Sequence, residues 1–196
     1  MNSTPHLTLA SNSPRRRQLL AEAGYHFEVR TFPFEEVYPP ETPADEVAQF
    51  LASGKNDLHR QKLGSGSVIL TADTVVIRDD AILEKPGNDQ EAFDMLRTLS
   101  DGVHRVITGV CLSDDRKQVA FSEVTEVTFR YLDDEELHYY ISKYQPLDKA
   151  GAYGIQEWIG LVGISNINGS YYNVVGLPVE RVYSVLAKEF AITPLR

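Results

Sequence analysis

Cysteine occurs once, at Cys111, in this chain of 196 residues, so an intramolecular disulfide is excluded, as is a zinc site built from several thiolates. Basic residues are in deficit: 19 Lys and Arg against 28 Asp and Glu leave a formal net charge of −9. A field of that sign repels polyanions, and a sequence-independent nucleic-acid binder would be basic. Any anionic ligand must therefore meet a local basic pocket. No stretch approaches the roughly 20 apolar residues of a membrane span, and Met1 to Pro14 lacks the apolar core of a signal peptide. Repeats, low-complexity tracts, a GxGxxG and a Walker loop are all missing. Gly64-Ser65-Gly66-Ser67 looks like a phosphate loop, but no Lys-Ser or Lys-Thr pair follows, so it reads as a linker. These absences predict a soluble, cytoplasmic protein with neither membrane nor nucleic-acid partners, in which the sequons at Asn2 and Asn168 are chance matches. What is present, 42% hydrophobic and 24% charged residues, suffices to bury a core.

The pattern along the chain predicts one unit over residues 1–196. A short strand over His6 to Ala10 leads into a helix with Ser13 as N-cap, Pro14 at its first position, Leu19, Leu20 and Ala23 inward, and Gly24 at its end. Thr42-Pro43 repeats the start signal for a helix whose apolar face is Val47, Phe50, Leu51 and Leu58, weakened in its middle by Gly54. Val68 to Ile77 turns through Arg78-Asp79-Asp80 into Ala81-Ile82-Leu83, a hairpin closed by Pro86. A helix over Asp89 to Leu99 carries Ala92, Met95, Leu96 and Leu99 and stops at Gly102. Val103 to Leu112 and Gln118 to Tyr131 form a second hairpin around Asp114-Asp115. Asp133 or Asp134 caps a helix with Leu137, Ile141 and Tyr144, and Pro178 opens a last one with Val182, Leu186 and Phe190. Between them, Pro146 to Pro178 reads as a long irregular, Gly-rich segment. Helices alternating with hairpins predict an α/β or α+β fold with a mixed sheet, not a purely parallel one, and of the two an α/β fold with a mixed twisted sheet and flanking helices is the expectation.

Three constellations could carry chemistry. Ser11-Asn12-Ser13-Pro14-Arg15-Arg16-Arg17 puts three cations in a first helical turn, the wrong end for them, where each exposed cation costs on the order of 0.3–1 kcal/mol. Either this is a solvated basic turn, or an anion such as a phosphate sits among the free N–H groups, hydroxyls and guanidinium groups. Asp73, between Val68-Ile69-Leu70 and Val75-Val76-Ile77, is expensive to desolvate unless it meets a cation, a metal or several donors. It reads as a strand-end turn residue, or as a metal ligand, a general base for water, or both. Lys85, on the other arm of that hairpin, is an ordinary surface lysine or comes back towards it, where it would serve to neutralise phosphate charge. Lys55, one turn beyond Leu51, falls near the core-facing edge of its helix, a place that suits a buried anion. Glu35 and Glu36 are solvated loop acids or a second source of a metal ligand. Asp148 to Gln156 is a packing loop or a ligand loop, with Gln156 able to read a base edge by its paired donor and acceptor.

Together Ser11-x-Ser13-Pro14-Arg15-Arg16, Lys55, Ala72-Asp73-Thr74-Val75-Val76, Glu84-Lys85-Pro86, His104-x-Val106-x-Thr108-Gly109-Val110, Asp148 to Gln156 and Gly169-Ser170-Tyr171 through Gly176-Leu177-Pro178 resemble the Maf family of nucleoside triphosphate pyrophosphatases, over nearly the whole chain and in order. The resemblance implies a fold like that of inosine triphosphate pyrophosphatase, two lobes around a cleft, in a protein that is often a homodimer. It also implies hydrolysis of a nucleoside triphosphate to the monophosphate and pyrophosphate with a divalent metal, magnesium or manganese. Arg15, Thr74 and Gln156 match the branch acting on dTTP and UTP.

On this reading Ser11, Arg15, Arg16, Lys55 and Lys85 bind phosphate, Arg15, Thr74 and Gln156 set specificity, Glu36 and Asp73 belong to the metal neighbourhood, and Asp73 also orients or deprotonates the attacking water. A non-catalytic, nucleotide-binding regulator of septum formation is the alternative. Three positions depart from the family pattern: Asn56 and Asp101, expected as surface or turn variation, and Glu157, where a Gly follows the Gln.

Overall fold

A computed structural model describes residues 6–194, so the Asn2 sequon and the first residues of the leading stretch lie outside the described part. Among the described residues seven strands join in one mixed sheet, in the order β2 (Phe27–Val29), β1 (His6–Leu9), β3 (Ser67–Arg78), β5 (Gly102–Ser113), β6 (Gln118–Phe129) and β7 (Ile164–Asn168), with β4 (Ala81–Leu83) on β3. β1 pairs in parallel with both β2 and β3, whereas β3 with β4 and β6 with β7 are antiparallel. This is the expected mixed α/β architecture. Helices supply the rest: α1 (Pro14–Glu22), α2 (Ala44–Leu63), α3 (Asp89–Leu99), α4 (Asp134–Tyr144), α5 (Trp158–Gly163), α6 (Tyr171–Val175) and α7 (Val179–Phe190). No described helix is long and apolar enough to cross a membrane.

The chain divides into two compact units, one formed by residues up to Asp73, Thr108–Glu123 and Gly176 onwards, the other by Thr74–Ile107 and Val124–Val175. In the first unit, consecutive residues Val68 to Ala72 of β3 are all buried. Successive strand side chains point to opposite faces, so both faces are covered there. α2 is tied to the sheet by polar side chains: Asn56 Nδ2 donates to the Ile69 and Cys111 carbonyls at 3.1 Å each, and Thr71 Oγ1 donates to the Ala52 carbonyl at 2.7 Å. Asn56 is thus fully buried and is not surface variation. The same ties rotate the buried stripe of α2 towards Ala48, Ala52, Asn56 and His59, which leaves Phe50, expected inward, 46% exposed. The Thr42 start signal also fails, because Pro43 takes the N-cap position without a side-chain hydrogen bond.

In the second unit the turn between β3 and β4 places Asp79 and Asp80 at φ 50° and 64°, the left-handed pair that a two-residue hairpin requires. α3 ends at Ser100, before Gly102, because Asp101 adopts the left-handed φ of 53° and Gly102 already begins β5. α4 starts with a capping box between Asp133 and Glu136. Pro146 to Pro178 is less irregular than its composition predicts: two 3₁₀ turns (Pro146–Asp148 and Ala150–Ala152), α5, β7 and α6 fill it. At six and five residues, α5 and α6 are too short to show a helical period. The core joins Leu96, Leu99, Phe129, Leu137, Tyr140 and Ile159.

His104 lies within that core, its Nε2 at 2.8 Å from the Tyr153 hydroxyl and its ring stacked on Phe129. Burial, with the Arg78 charge adding to it, pushes the imidazole down to about 3 from 6.5. The unfolded chain therefore binds the proton first, and the stability that neutral His104 contributes is complete above its unfolded value of 6.5 and is lost as pH falls towards 3. The slope approaches about 1.4 kcal/mol per pH unit. Urea unfolding should accordingly show the loss caused by His104→Gln to be smaller at pH 5 than at pH 7, by about 2 kcal/mol. A loss independent of pH would contradict the buried neutral ring.

Candidate active site

The site is built in the first unit from the turn before α1, the segment after β2, the middle of α2 and the end of the apolar run of β3. In the turn, Ser13 is the N-cap as expected, its Oγ accepting from Arg16 N at 3.4 Å, while Ser11 Oγ accepts from Ser13 N at 3.2 Å. The Thr31 hydroxyl donates to Asn12 Oδ1 at 3.0 Å and so holds the turn against the exit of β2. Arg15 is half-buried and Arg17 exposed. Arg16 turns inward: Nε donates to the Gly176 carbonyl and Nη1 to the Ala72 carbonyl, both at 2.8 Å, and Nη1 also reaches Ser11 Oγ at 3.4 Å. Burial lowers its pKa, and the Asp73 charge opposes that shift. Its planar fork spans three segments, fastening Ser11 beside the residue that precedes Asp73.

The cation that an apolar strand demands at Asp73 is Lys55. Its Nζ lies 2.8 Å from Asp73 Oδ2 and 2.6 Å from Glu36 Oε1. The side chains of Lys55 and Asp73 are each only 14% exposed, whereas Glu36 is 47% exposed. Lys55 falls in the middle of the buried stripe of α2, so the anions that its position called for are the protein's own carboxylates. Gly54 gives room for Phe34, whose ring would stand 2.9 Å from an added Cβ, and the Lys55 ammonium is 5.9 Å from the centre of that ring.

His59, which the sequence reading passed over, holds the segment in place. Its Nδ1 lies 2.6 Å from the Lys55 carbonyl and its Nε2 accepts from Phe32 N at 3.1 Å. Only the tautomer with its proton on Nδ1 satisfies both partners. One buried imidazole thus links the backbone of Lys55 to the chain four residues ahead of Glu36. A His at i+4 from the lysine was the available signal, but its partner Phe32 is 27 residues away and could not be foreseen.

The remaining expected site residues belong to the second unit. Thr74, next to Asp73 on β3, is half-buried. The ladder between β3 and β4 ends at Val76 and Leu83, so Lys85 stands exposed just beyond it. Gln156 is exposed after the buried run Gly151 to Ile155. Lys149, at the start of that loop, is buried, and so is Tyr140 of α4, which was unforeseen.

Two oxygens of separate carboxylates on one ammonium, midway along a largely buried strand and beside a basic helix start, make a site suited to a polyanion and a hard cation. The chain belongs to the Maf-like protein family, whose pattern it matches over residues 6–189. Among its relatives, the dTTP/UTP pyrophosphatase of Phocaeicola vulgatus is 50% identical over 93% of this chain and 95% of its own, and that of Parabacteroides distasonis 48% identical over 92% and 94%. The dTTP/UTP pyrophosphatase of Bacteroides thetaiotaomicron is 44% identical over 93% and 95%. A solved dITP/XTP pyrophosphatase from Mycobacterium abscessus is a distant likeness, with a TM-score of 0.43 and 14% identity over 63% of this chain and 74% of that one.

Proposed function

We propose that this chain hydrolyses dTTP and UTP to the nucleoside monophosphate and pyrophosphate, with magnesium or manganese as cofactor. The observation that carries the reading is Lys55 shared by Glu36 and Asp73, in a chain so similar over its length to relatives bearing that activity in their names. Arg15, Lys55 and Lys85 neutralise phosphate charge and the Ser11 hydroxyl donates to a phosphate oxygen, while Arg16 holds the segments that carry Ser11 and Asp73. Asp73 takes the proton of the water consumed as the anhydride between the α- and β-phosphates breaks. Arg15, Thr74 and Gln156 select the pyrimidine.

The donor set fits the cofactor. Magnesium is bound through one or two carboxylates, with waters and substrate phosphates completing the shell. Glu36 and Asp73 are such a pair, and no cluster of three His, Cys, Asp or Glu able to form a closed cage occurs among the described residues. When bound, the ion would offset phosphate charge beyond what the lysines and arginine supply. Cytoplasmic location, supported by the single buried cysteine, a homodimer, and the lack of a nucleic-acid partner, supported by the net charge of −9, are parts of the same proposal.

The test is a panel of nucleoside triphosphates assayed for pyrophosphate with magnesium, with manganese and with chelator. Release from dTTP and UTP ahead of purine nucleotides, stopped by chelator, is the expected result. Diphosphate and orthophosphate as products would overturn the cleavage assignment, and nucleotide binding without turnover would favour the regulator.

A further inference from the structure

The segment carrying Gln156 is closed by a polar clasp that resemblance to the family does not account for, since its central residue, Glu157, is one of this chain's departures. Glu157 N donates to the Gly154 carbonyl at 3.0 Å, so Gly154 to Glu157 is a β-turn with Gln156 at its third position. Both ends of that turn meet one side chain of α4: the Tyr140 hydroxyl accepts from Gly154 N at 3.0 Å and donates to Glu157 Oε2 in a short hydrogen bond. The other carboxylate oxygen, Oε1, lies 3.3 Å from Lys149 Nζ, which also pairs with Asp148 at 2.7 Å. The side chains of Lys149 and Glu157 are 9% and 18% exposed, and Tyr140 is fully buried. Burial first, then the Glu157 hydrogen bond and charge, push the tyrosine pKa up, so the hydroxyl keeps its proton and remains a donor. Gly154 is required for the closure, because a Cβ there would stand 2.8 Å from Glu157 Cδ.

We infer that Glu157, gripped by Tyr140 and Lys149, is a positioning residue for nucleobase discrimination: it locks the turn that presents the Gln156 amide. The inference rests on the reading of Gln156 as the base-recognising residue. A side-chain amide can accept from the ring N–H of uracil or thymine while donating to the adjacent carbonyl, and cytosine offers the reverse pattern at that edge. Both hydrogen bonds form only when the amide plane is held, and a turn free to rock gives up the geometry that separates the two bases. The clasp supplies that restraint without touching the base.

The experiment compares kcat/KM for UTP with that for CTP, a base of the same size, on preparations shown by melting profile to be folded. Tyr140→Phe deletes one hydroxyl and little else, and should lower the UTP to CTP ratio about three- to tenfold. Glu157→Ala should lower it further, and Glu157→Gln less than Ala, because an amide oxygen can still accept from Tyr140. In a Gln156→Ala background, Tyr140→Phe should shift the ratio no more, since the group it positions is gone. A purely structural role would depress both substrates alike and leave the ratio unmoved. An unchanged ratio in folded Tyr140→Phe and Glu157→Ala, where Gln156→Ala collapses it, overturns the clasp and leaves the reading of Gln156 intact. An unchanged ratio in Gln156→Ala overturns both.

Discussion

Asp73→Asn should abolish turnover while the protein stays folded. The substitution keeps the shape of the side chain and an oxygen able to accept from Lys55 Nζ, 2.8 Å away in the wild type, and Lys55 retains Glu36 at 2.6 Å as its counter-charge. What is lost is the negative charge and the basicity at one atom. General-base assistance contributes roughly 10²- to 10⁴-fold, and losing a cofactor contact as well moves the deficit towards the upper end. Nucleotide affinity should largely survive, because Arg15, Lys55 and Lys85 remain. Pyrophosphate release and nucleotide binding, measured on one preparation with a wild-type melting profile, decide the matter. Retention of more than about a tenth of wild-type turnover is incompatible with a catalytic Asp73.

A large effect on stability is expected at Gly109. A Cβ added there would overlap the carbonyl carbon and oxygen of Ala48 and the nitrogen of Gln49. These are backbone atoms of α2, so no rotamer change relieves the clash and the helix must withdraw from β5. Withdrawal strains the bonds that Asn56 makes to the Ile69 and Cys111 carbonyls and that Thr71 makes to the Ala52 carbonyl. Overpacking costs about 1–3 kcal/mol and each strained buried hydrogen bond roughly 1 kcal/mol more. Gly109→Ala should therefore lose about 4–6 kcal/mol, much of what a domain of this size possesses, and show as a collapsed urea midpoint or insoluble protein. Gly64→Ala is the control: φ there is +70° but nothing lies within 4 Å, so its cost should stay near 1 kcal/mol. Gly109 is not among the glycines with positive φ, so equal losses at the two positions would mean that the seat of α2 on the sheet yields to the added methyl group.

Much of this was legible in the residues. Ser13, Pro14 and Gly24 delimit α1 through rules that act over three or four residues, and the hairpin through Asp79-Asp80 follows from the same kind of local chemistry. Where local rules compete with long-range bonding they fail. Phe50 is apolar yet faces out, because the buried stripe of α2 includes Asn56 and His59, polar residues bonded to β3, to β5 and to the segment after β2. Asn56 looked like surface variation for the same reason.

The sequence by itself determined that an apolar strand carries a carboxylate at Asp73, that a basic turn opens a helix, and that Lys55 lies on a core-facing edge. It also determined membership of the Maf-like family. Only the tertiary structure decided that Lys55 is the cation at Asp73, that Arg16 is turned inward onto the Ala72 and Gly176 carbonyls, that His59 ties the Glu36 segment to α2, and that Glu157 closes on Tyr140. Those partners stand 17 to 160 residues apart. Periodicity and capping report what a residue does to its neighbours within a turn, whereas a buried charge or donor is satisfied by whichever group the packed fold brings within about 3 Å.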